Sequence, residues 1–253
     1  MEESYIALAK VYDALMRDVA YDDWAAYLHG FLVRQGMHPA ALVDCACGTG
    51  QLSIRLAQLG HRVTGVDRSE AMLYEASEKA RQQGLTIPFV QQDMRKLLLH
   101  KKMDAVNCAC DGVNYLLSGS DVRAFFQAAY AALKPGGLLL FDISSRYKLA
   151  HILGCNTFGE TEDACVYLWK NSYDETSHLS EMQLTGFVPN GSLYERFDER
   201  HVQRGHSVRE LTSWLEAAGF ADVYAFEAFT LTPCKAETER IQFSAIRSDI
   251  AGS

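Results

Sequence analysis

The spacing of apolar positions changes period three times along the 253-residue chain, and each change predicts a different kind of element. Apolar residues recur at helical spacing from Tyr5 to Met16, and again from Tyr21-Asp22-Asp23 through Trp24, Tyr27, Leu28, Phe31 and Leu32. Two helices are expected there. Short apolar runs at 41–45, 62–66, 88–91, 105–110 and 138–143 then alternate with helical stretches, as in a parallel sheet. Pro135-Gly136-Gly137 is placed to stop a helix ending at Leu133 and to turn the chain into the fifth run. From about 165 to 203 the helical period disappears. Three runs rich in aromatic and β-branched residues replace it, at 165–173, 179–188 and 192–203. Asp174-Glu175-Thr176-Ser177 and Pro189-Asn190-Gly191 join them, and Asn190-Gly191 between extended runs signals a hairpin. A helix at about 207–218, ended by Gly219, and strands at 223–229 and 239–246 complete the pattern.

The fold class predicted is α/β. A doubly wound, mostly parallel Rossmann-like sheet carries helices on both faces, with a small inserted antiparallel β-meander lid and an N-terminal helical cap. The expected domains are the cap at 1–36, a core made of 37–150 and 205–253, and the lid at 151–204.

Composition narrows the function classes. With 48% hydrophobic residues the chain can bury a full core, and its net charge of −8 argues against a nucleic-acid partner. No apolar run approaches a membrane span, and the acidic start is unlike a signal peptide, so a cytoplasmic protein is expected. The seven cysteines do not form a disulfide framework. Cys45-x-Cys47 and Cys108-x-Cys110 fall at the ends of neighbouring strands and could in principle hold zinc. Alternate residues of a strand face opposite sides, however, and cysteine packs well as a small core residue. No metal is expected.

The chemistry concentrates in Val43-Asp44-Cys45-Ala46-Cys47-Gly48-Thr49-Gly50, followed by a second apolar run that ends in Asp67. This strand–loop–helix–strand unit lets a ligand lie against bare backbone, and the second carboxylate stands where it can accept from both ribose hydroxyls of a nucleoside. A dinucleotide needs a G-x-G-x-x-G cradle for its pyrophosphate. The spacing here is D-x-A-x-G-x-G, and Asp44 at the loop mouth suits an ammonium or sulfonium group instead. This run resembles class I S-adenosylmethionine-dependent methyltransferases, and the resemblance extends from Leu42 to about Ile143. Ala46 stands where that family usually has its first glycine.

The resemblance implies that Asp44, Ala46, Gly48, Thr49 and Gly50 surround the methionine half of S-adenosylmethionine. Arg68-Ser69-Glu70-Ala71-Met72-Leu73 resembles the family's D-x-S-x-x-M-L run after Asp67, which implies Arg68 among the cofactor contacts and Met72 on one face of adenine. Gln92-Asp93-Met94 matches its adenine-edge motif, and Cys110-Asp111 borders the sulfur. Asp67 and Met72 also have plain roles open to them, as a helix cap and a core residue. Cys110-Asp111-Gly112-Val113-Asn114-Tyr115-Leu116 resembles a segment of a narrower subgroup. It comprises the bacterial YqeM-type methyltransferases and, more distantly, sugar-amine N-methyltransferases and glycine/sarcosine methyltransferases. Tyr12-Asp13-x-Leu15-Met16, Tyr167-x-Trp169-x-Asn171-x-Tyr173 and the stretch from Tyr194 to Arg204 fit the same subgroup. Asn114, Tyr115, Tyr167, Trp169, Arg196 and Gln203 are the acceptor contacts this suggests.

Strand periodicity adds its own reading. Glu195, Phe197, Glu199, His201 and Gln203 share one face of their strand, with Arg196, Asp198 and Arg200 on the other. A histidine flanked by a carboxylate can orient a polar acceptor and receive its proton, and a solvated, charge-laced lid strand is the plain alternative. Tyr12, His201 and Glu199 are the expected catalytic residues, with Tyr12 closing over the methyl group. The expected reaction is methyl transfer from S-adenosylmethionine to N or O of a small polar metabolite, leaving S-adenosylhomocysteine, by a monomer or homodimer. An RNA (tRNA) methyltransferase, a non-catalytic S-adenosylmethionine-binding protein and an NAD-dependent oxidoreductase are the competing readings.

Overall fold

Five apolar runs become parallel strands of one sheet, four inside it, where largely buried strands need few polar positions, and the third (Phe89–Gln91) at its exposed edge. The computed structural model describes residues 12–161 and 165–248. The expected helix from Tyr5 starts outside them, and 12–15 are helical within them. Helix α1 (Tyr21–Arg34) leads to β1 (Ala41–Cys45), α2 (Gln51–Gln58), β2 (Arg62–Asp67), α3 (Glu70–Gln82), β3 (Phe89–Gln91) and β4 (Met103–Cys108). Then come α4 (Gly119–Ala132), β5 (Leu133–Ser144), four lid strands, α5 (Val208–Ala217), β10 (Phe220–Glu227) and β11 (Arg240–Arg247). The seven strands are ordered β10-β11-β5-β4-β1-β2-β3, and β11 alone runs against the others.

One face of the sheet packs Phe125 and Phe126 of α4 and Leu211 and Leu215 of α5 against Phe141 and Phe243. Those last two rings stack with centroids 4.8 Å apart. The other face packs Trp24, Leu28 and Leu32 of α1 and Leu56 of α2 against Leu42, Leu138 and Leu140. Helix starts follow capping chemistry: the Ser69 and Ser118 hydroxyls accept from the backbone of Met72 and Asp121, and Ser207 and Glu210 form a capping box.

Several boundaries differ from the sequence pattern. The fourth strand ends at Cys108, two residues before the expected Cys110, because Cys110 and Asp111 are both left-handed (φ +57° and +59°) and break the extended run. The fifth begins at Leu133, and Pro135-Gly136-Gly137 forms an irregularity within it: Met103 pairs with Leu133 but Ala105 with Leu138. The strand expected at 223–229 starts at Phe220, directly after Gly219 (φ +99°).

The lid holds four strands where three were expected: β6 (Thr157–Thr161), β7 (Val166–Asp174), β8 (Leu179–Asn190) and β9 (Leu193–Arg204). Every residue of β6 is exposed, so it has no apolar alternation to read. The β8–β9 hairpin pairs Asn190 with Leu193, which makes Gly191-Ser192 the two-residue loop, one position beyond the Asn-Gly signal. Register stacks the inner face of the lid in rows: Tyr167–Gly186–Phe197, Trp169–Leu184–Glu199, Asn171–Met182–His201 and Tyr173–Ser180–Gln203.

Where β9 returns to the core, buried His206 donates from Nε2 to the carbonyl of Leu116 at 3.0 Å. Burial, with Arg204 nearby, lowers its pKa from 6.5 to about 4. The unfolded chain takes up this proton first as pH falls, so stability is fully present above about 6.5 and is lost toward 4. The loss reaches about 3 kcal/mol. His206→Gln, which keeps an N–H for Leu116, should flatten that part of the urea-midpoint profile; an unchanged profile would remove His206 as its cause.

Candidate active site

The loop after β1 is shaped by backbone that few side chains tolerate. Ala46, Gly48 and Gly50 have φ of +53°, +54° and +77°, so Ala46 adopts the left-handed conformation that a glycine would hold with less strain. Gly50 answers to packing: a Cβ there would meet Ala76 Cβ at 2.8 Å. Gly48 differs, because a Cβ there would meet nothing within 4 Å and the loop backbone borders open space.

Two carboxylates flank this loop, and Asp67 holds it. Asp67 Oδ2 accepts from Gly48 N at 2.8 Å, and its Oδ1 accepts from Ser69 N at 2.9 Å. Asp44 is buried at the end of β1, accepting from Ser53 Oγ at 2.6 Å and Asn107 Nδ2 at 2.7 Å. Burial raises its pKa to about 6, against the pull of those two hydrogen bonds. Thr49 donates from Oγ1 to Asp13 Oδ1 at 2.6 Å, and Lys79 pairs with the other oxygen. The segment around Tyr12 is thereby pinned across the loop. Tyr12 itself is half-buried against the Met72–Phe197 cluster, and desolvation together with Tyr21, Cys110, Asp111 and Asp67 pushes its pKa well up. It is a neutral phenol, suited to enclosing a group and unsuited to acting as a base.

The far wall is a buried charge cluster. Cys110 N and Asp111 N both donate to the carboxylate of Asp142, at 2.6 and 3.2 Å, as successive amides in a left-handed turn can. Arg240 bridges Asp111 and Asp142 and lies 5.8 Å from the Trp24 ring centroid. Burial raises Asp111, but Arg240 and Lys148 outweigh it and lower its pKa; burial and Asp111 raise that of Asp142. Asp142, Arg240, Tyr21, Asp13, Ser53 and Asn107 were not among the expected site residues. Asp142 had a signal: a carboxylate at the end of the apolar run Leu138-Leu139-Leu140-Phe141.

Lid strand β9 spans this crevice. At one end Gln203 Nε2 lies 3.4 Å from Asp111 Oδ2, and at the other Phe197 packs with Met72 of α3. Between them stand His201, 3.4 Å from the Tyr115 hydroxyl, and Glu199, whose Oε1 is buried without a hydrogen-bond partner among the described residues. Burial lowers the His201 pKa, against the upward pull of Glu199. Tyr167 and Trp169 join the Met72–Phe197 cluster from β7, and with Leu153, Phe158, Gly159 and Glu160 they line a cleft of about 510 Å³.

Six expected site residues have partners or positions of their own in the fold. Asn114 is fully buried and spent on backbone, donating to Ser144 O and Arg204 O and accepting from Ser144 N, each at 2.9 Å. It fastens the lid to the core, with both amide protons spent on backbone carbonyls. Arg196 lies on the outer lid face, 61% exposed and paired with Asp198. Gln92 closes its own turn with Leu98, through bonds of 3.1 and 2.9 Å. Met94 buries its side chain in the core beside Cys108, which leaves only its backbone for a ligand. Asp93 is paired with Arg95, which lowers its pKa to about 2. Arg68 is exposed at the end of β2, where its carbonyl accepts from Gln91.

A family profile described as methyltransferase domain matches residues 42–137. The chain is 39% identical to the methyltransferase YqeM of Bacillus subtilis (strain 168) over 247 residues, 96% of this chain and 97% of that one. Its fold is similar to the crystal structure of an S-adenosylmethionine-dependent methyltransferase from Clostridium acetobutylicum ATCC 824. The TM-score is 0.87 at 32% identity, covering 96% of this chain and 99% of that one. CalS10, an amino pentose methyltransferase from Micromonospora echinaspora whose structure holds S-adenosylmethionine, shares the fold at 24% identity and a TM-score of 0.75. That match covers 94% of this chain and 97% of the other. A glycine loop after the first strand, a carboxylate at the end of the second and a lid over both agree with these likenesses: the chain is a class I S-adenosylmethionine-dependent methyltransferase.

Proposed function

We propose that this enzyme methylates a nitrogen or oxygen of a small polar metabolite in the crevice between Asp67, Asp111 and the inner face of β9. One observation carries the reading: Glu199 presents a buried, unpartnered carboxylate oxygen midway between the two points where β9 meets Asp111 and Met72. A buried acceptor without a donor is costly unless a ligand provides one, and an amine or hydroxyl of the acceptor fits that need.

The residues also fit the donor. The open space at Gly48 leaves backbone accessible, and the lone pairs of Asp67 not engaged by Gly48 and Ser69 can accept ribose hydroxyls. Met72 and the Asp93–Met94 turn would hold adenine, and Asp44 favours positive charge. When bound, S-adenosylmethionine supplies a methyl carbon activated by its charged sulfur, and S-adenosylhomocysteine remains. The protein's part is to align the acceptor and exclude water. Tyr12 and the lid enclose the crevice, and Glu199 with neutral His201 can receive the proton the acceptor loses. Seven free thiols suit a reducing, cytoplasmic setting; among the described residues no helix is long and apolar enough to cross a membrane.

The test is uptake of labelled methyl from S-adenosylmethionine into fractionated metabolites and tRNA. Label should enter a small-molecule fraction, and Glu199→Gln should cut that rate at least about tenfold while leaving calorimetric affinity for S-adenosylhomocysteine unchanged. Label confined to tRNA, or no turnover with any fraction, would overturn the reading.

A further inference from the structure

We propose that His29, His38 and His61 form a binding site for a zinc-class divalent ion, at the end of the sheet where β1 and β2 begin, opposite the methyl-transfer crevice. The three come from separate elements: His29 from α1, His38 from the loop before β1, and His61 from the residue preceding β2. One ligating nitrogen of each lies within 4.8 Å of the other two. The rings meet edge to face at centroid separations of 5.2, 5.1 and 5.3 Å, so their nitrogens converge and the rings do not stack. His29 Nδ1 and His61 Nε2 are already 2.9 Å apart. A tetrahedral zinc site with ligands at about 2.0–2.1 Å needs separations only slightly larger.

Burial grades across the cluster: His61 is buried, His29 half-buried and His38 exposed. The inner pair is held by the fold, and the outer ring can swing to admit an ion. His61 is anchored by its own N–H to Leu56 O, while the next residue, Arg62, donates to Ala40 O. An all-imidazole donor set suits zinc, nickel or copper and offers nothing to magnesium or calcium.

Without metal, Ala40 N donates to His61 Nδ1 at 3.1 Å, so the ring proton sits on Nε2 and points at His29. An ion at Nε2 takes that place: the proton moves to Nδ1, the Ala40 bond is given up, and no net proton is released. That exchange makes the site one of moderate affinity. It lies at the start of β1, while the glycine loop leaves from the end of the same strand, roughly 15 Å away.

Zinc chloride titrated into the full chain, free of any affinity tag, tests this by calorimetry and thermal melting. One ion per chain should bind, with a raised midpoint. His38→Ala, at an exposed position, should weaken binding at least about tenfold while leaving S-adenosylhomocysteine affinity unchanged, and His29→Gln should do the same. No saturable binding at one equivalent, or undiminished binding by His38→Ala, would overturn the assignment.

Discussion

Alanine at position 67 is expected to weaken binding of S-adenosylmethionine by more than about a hundredfold and to destabilise the glycine loop as well. Two ribose hydroxyls donating to a carboxylate contribute about 1.5–3 kcal/mol each, and the sum exceeds the 2.7 kcal/mol or so that a hundredfold change represents. The same side chain already accepts from Gly48 N and Ser69 N. Its removal therefore leaves two partly buried amides without an acceptor, at a cost of about 1–3 kcal/mol in all. Asp67→Asn separates the two roles, because its amide oxygen can still hold one of those amides while the charge is gone. Its urea midpoint should lie nearer wild type than that of Asp67→Ala, while its affinity for adenosine-containing ligands stays low. Wild-type calorimetric affinity in Asp67→Ala would contradict the ribose assignment.

How far the sequence reaches depends on whether a residue works locally or across the fold. Faces of β9 are readable because alternation is a property of one strand: Phe197, Glu199 and Gln203 are buried, while Arg196, Asp198 and Arg200 are exposed. That same alternation already set Arg196 apart from an inward-facing acceptor contact, and its pairing with Asp198 fits the outer face. The loop after β1 is readable because glycine and small residues mark left-handed backbone directly. The lid-fastening role of Asn114 was not legible because its partners, Ser144 and Arg204, lie 30 and 90 residues away, and only the fold brings their carbonyls to it. Tyr21 looked like one more position at the start of α1, yet desolvation, with Cys110 and Asp13 nearby, raises its pKa, a setting no local pattern announces. Strand β6 was missed for the opposite reason: exposed along its whole length, it is held by pairing with β7 and needs no hydrophobic pattern.

The largest stability loss is expected from Arg240→Met, at about 3–5 kcal/mol, the range for stripping one partner from a buried ion pair. Arg240 stands between Asp111 and Asp142, and Asp142 is completely buried. Met fills much of the volume but leaves two neighbouring carboxylates without their shared guanidinium, with the Lys148 ammonium still near Asp111. The loss has a pH signature. Burial and Asp111 already raise the Asp142 pKa above its ordinary 3.8, and without Arg240 it must rise further. The folded variant then binds a proton more readily than its unfolded chain, so lowering the pH from 7 toward 5 should shrink the deficit relative to wild type. Asp142→Asn added to Arg240→Met removes one of the opposed charges and keeps an acceptor for the Cys110–Asp111 turn; it should recover more than half of the lost stability. Urea midpoints at both pH values measure each step. A deficit below about 1 kcal/mol, or one indifferent to pH and to Asp142→Asn, would show that packing rather than charge holds this wall of the crevice. If charge does hold it, turnover should fall with stability, because the turn that Asp142 grips is the one Gln203 reaches from the lid.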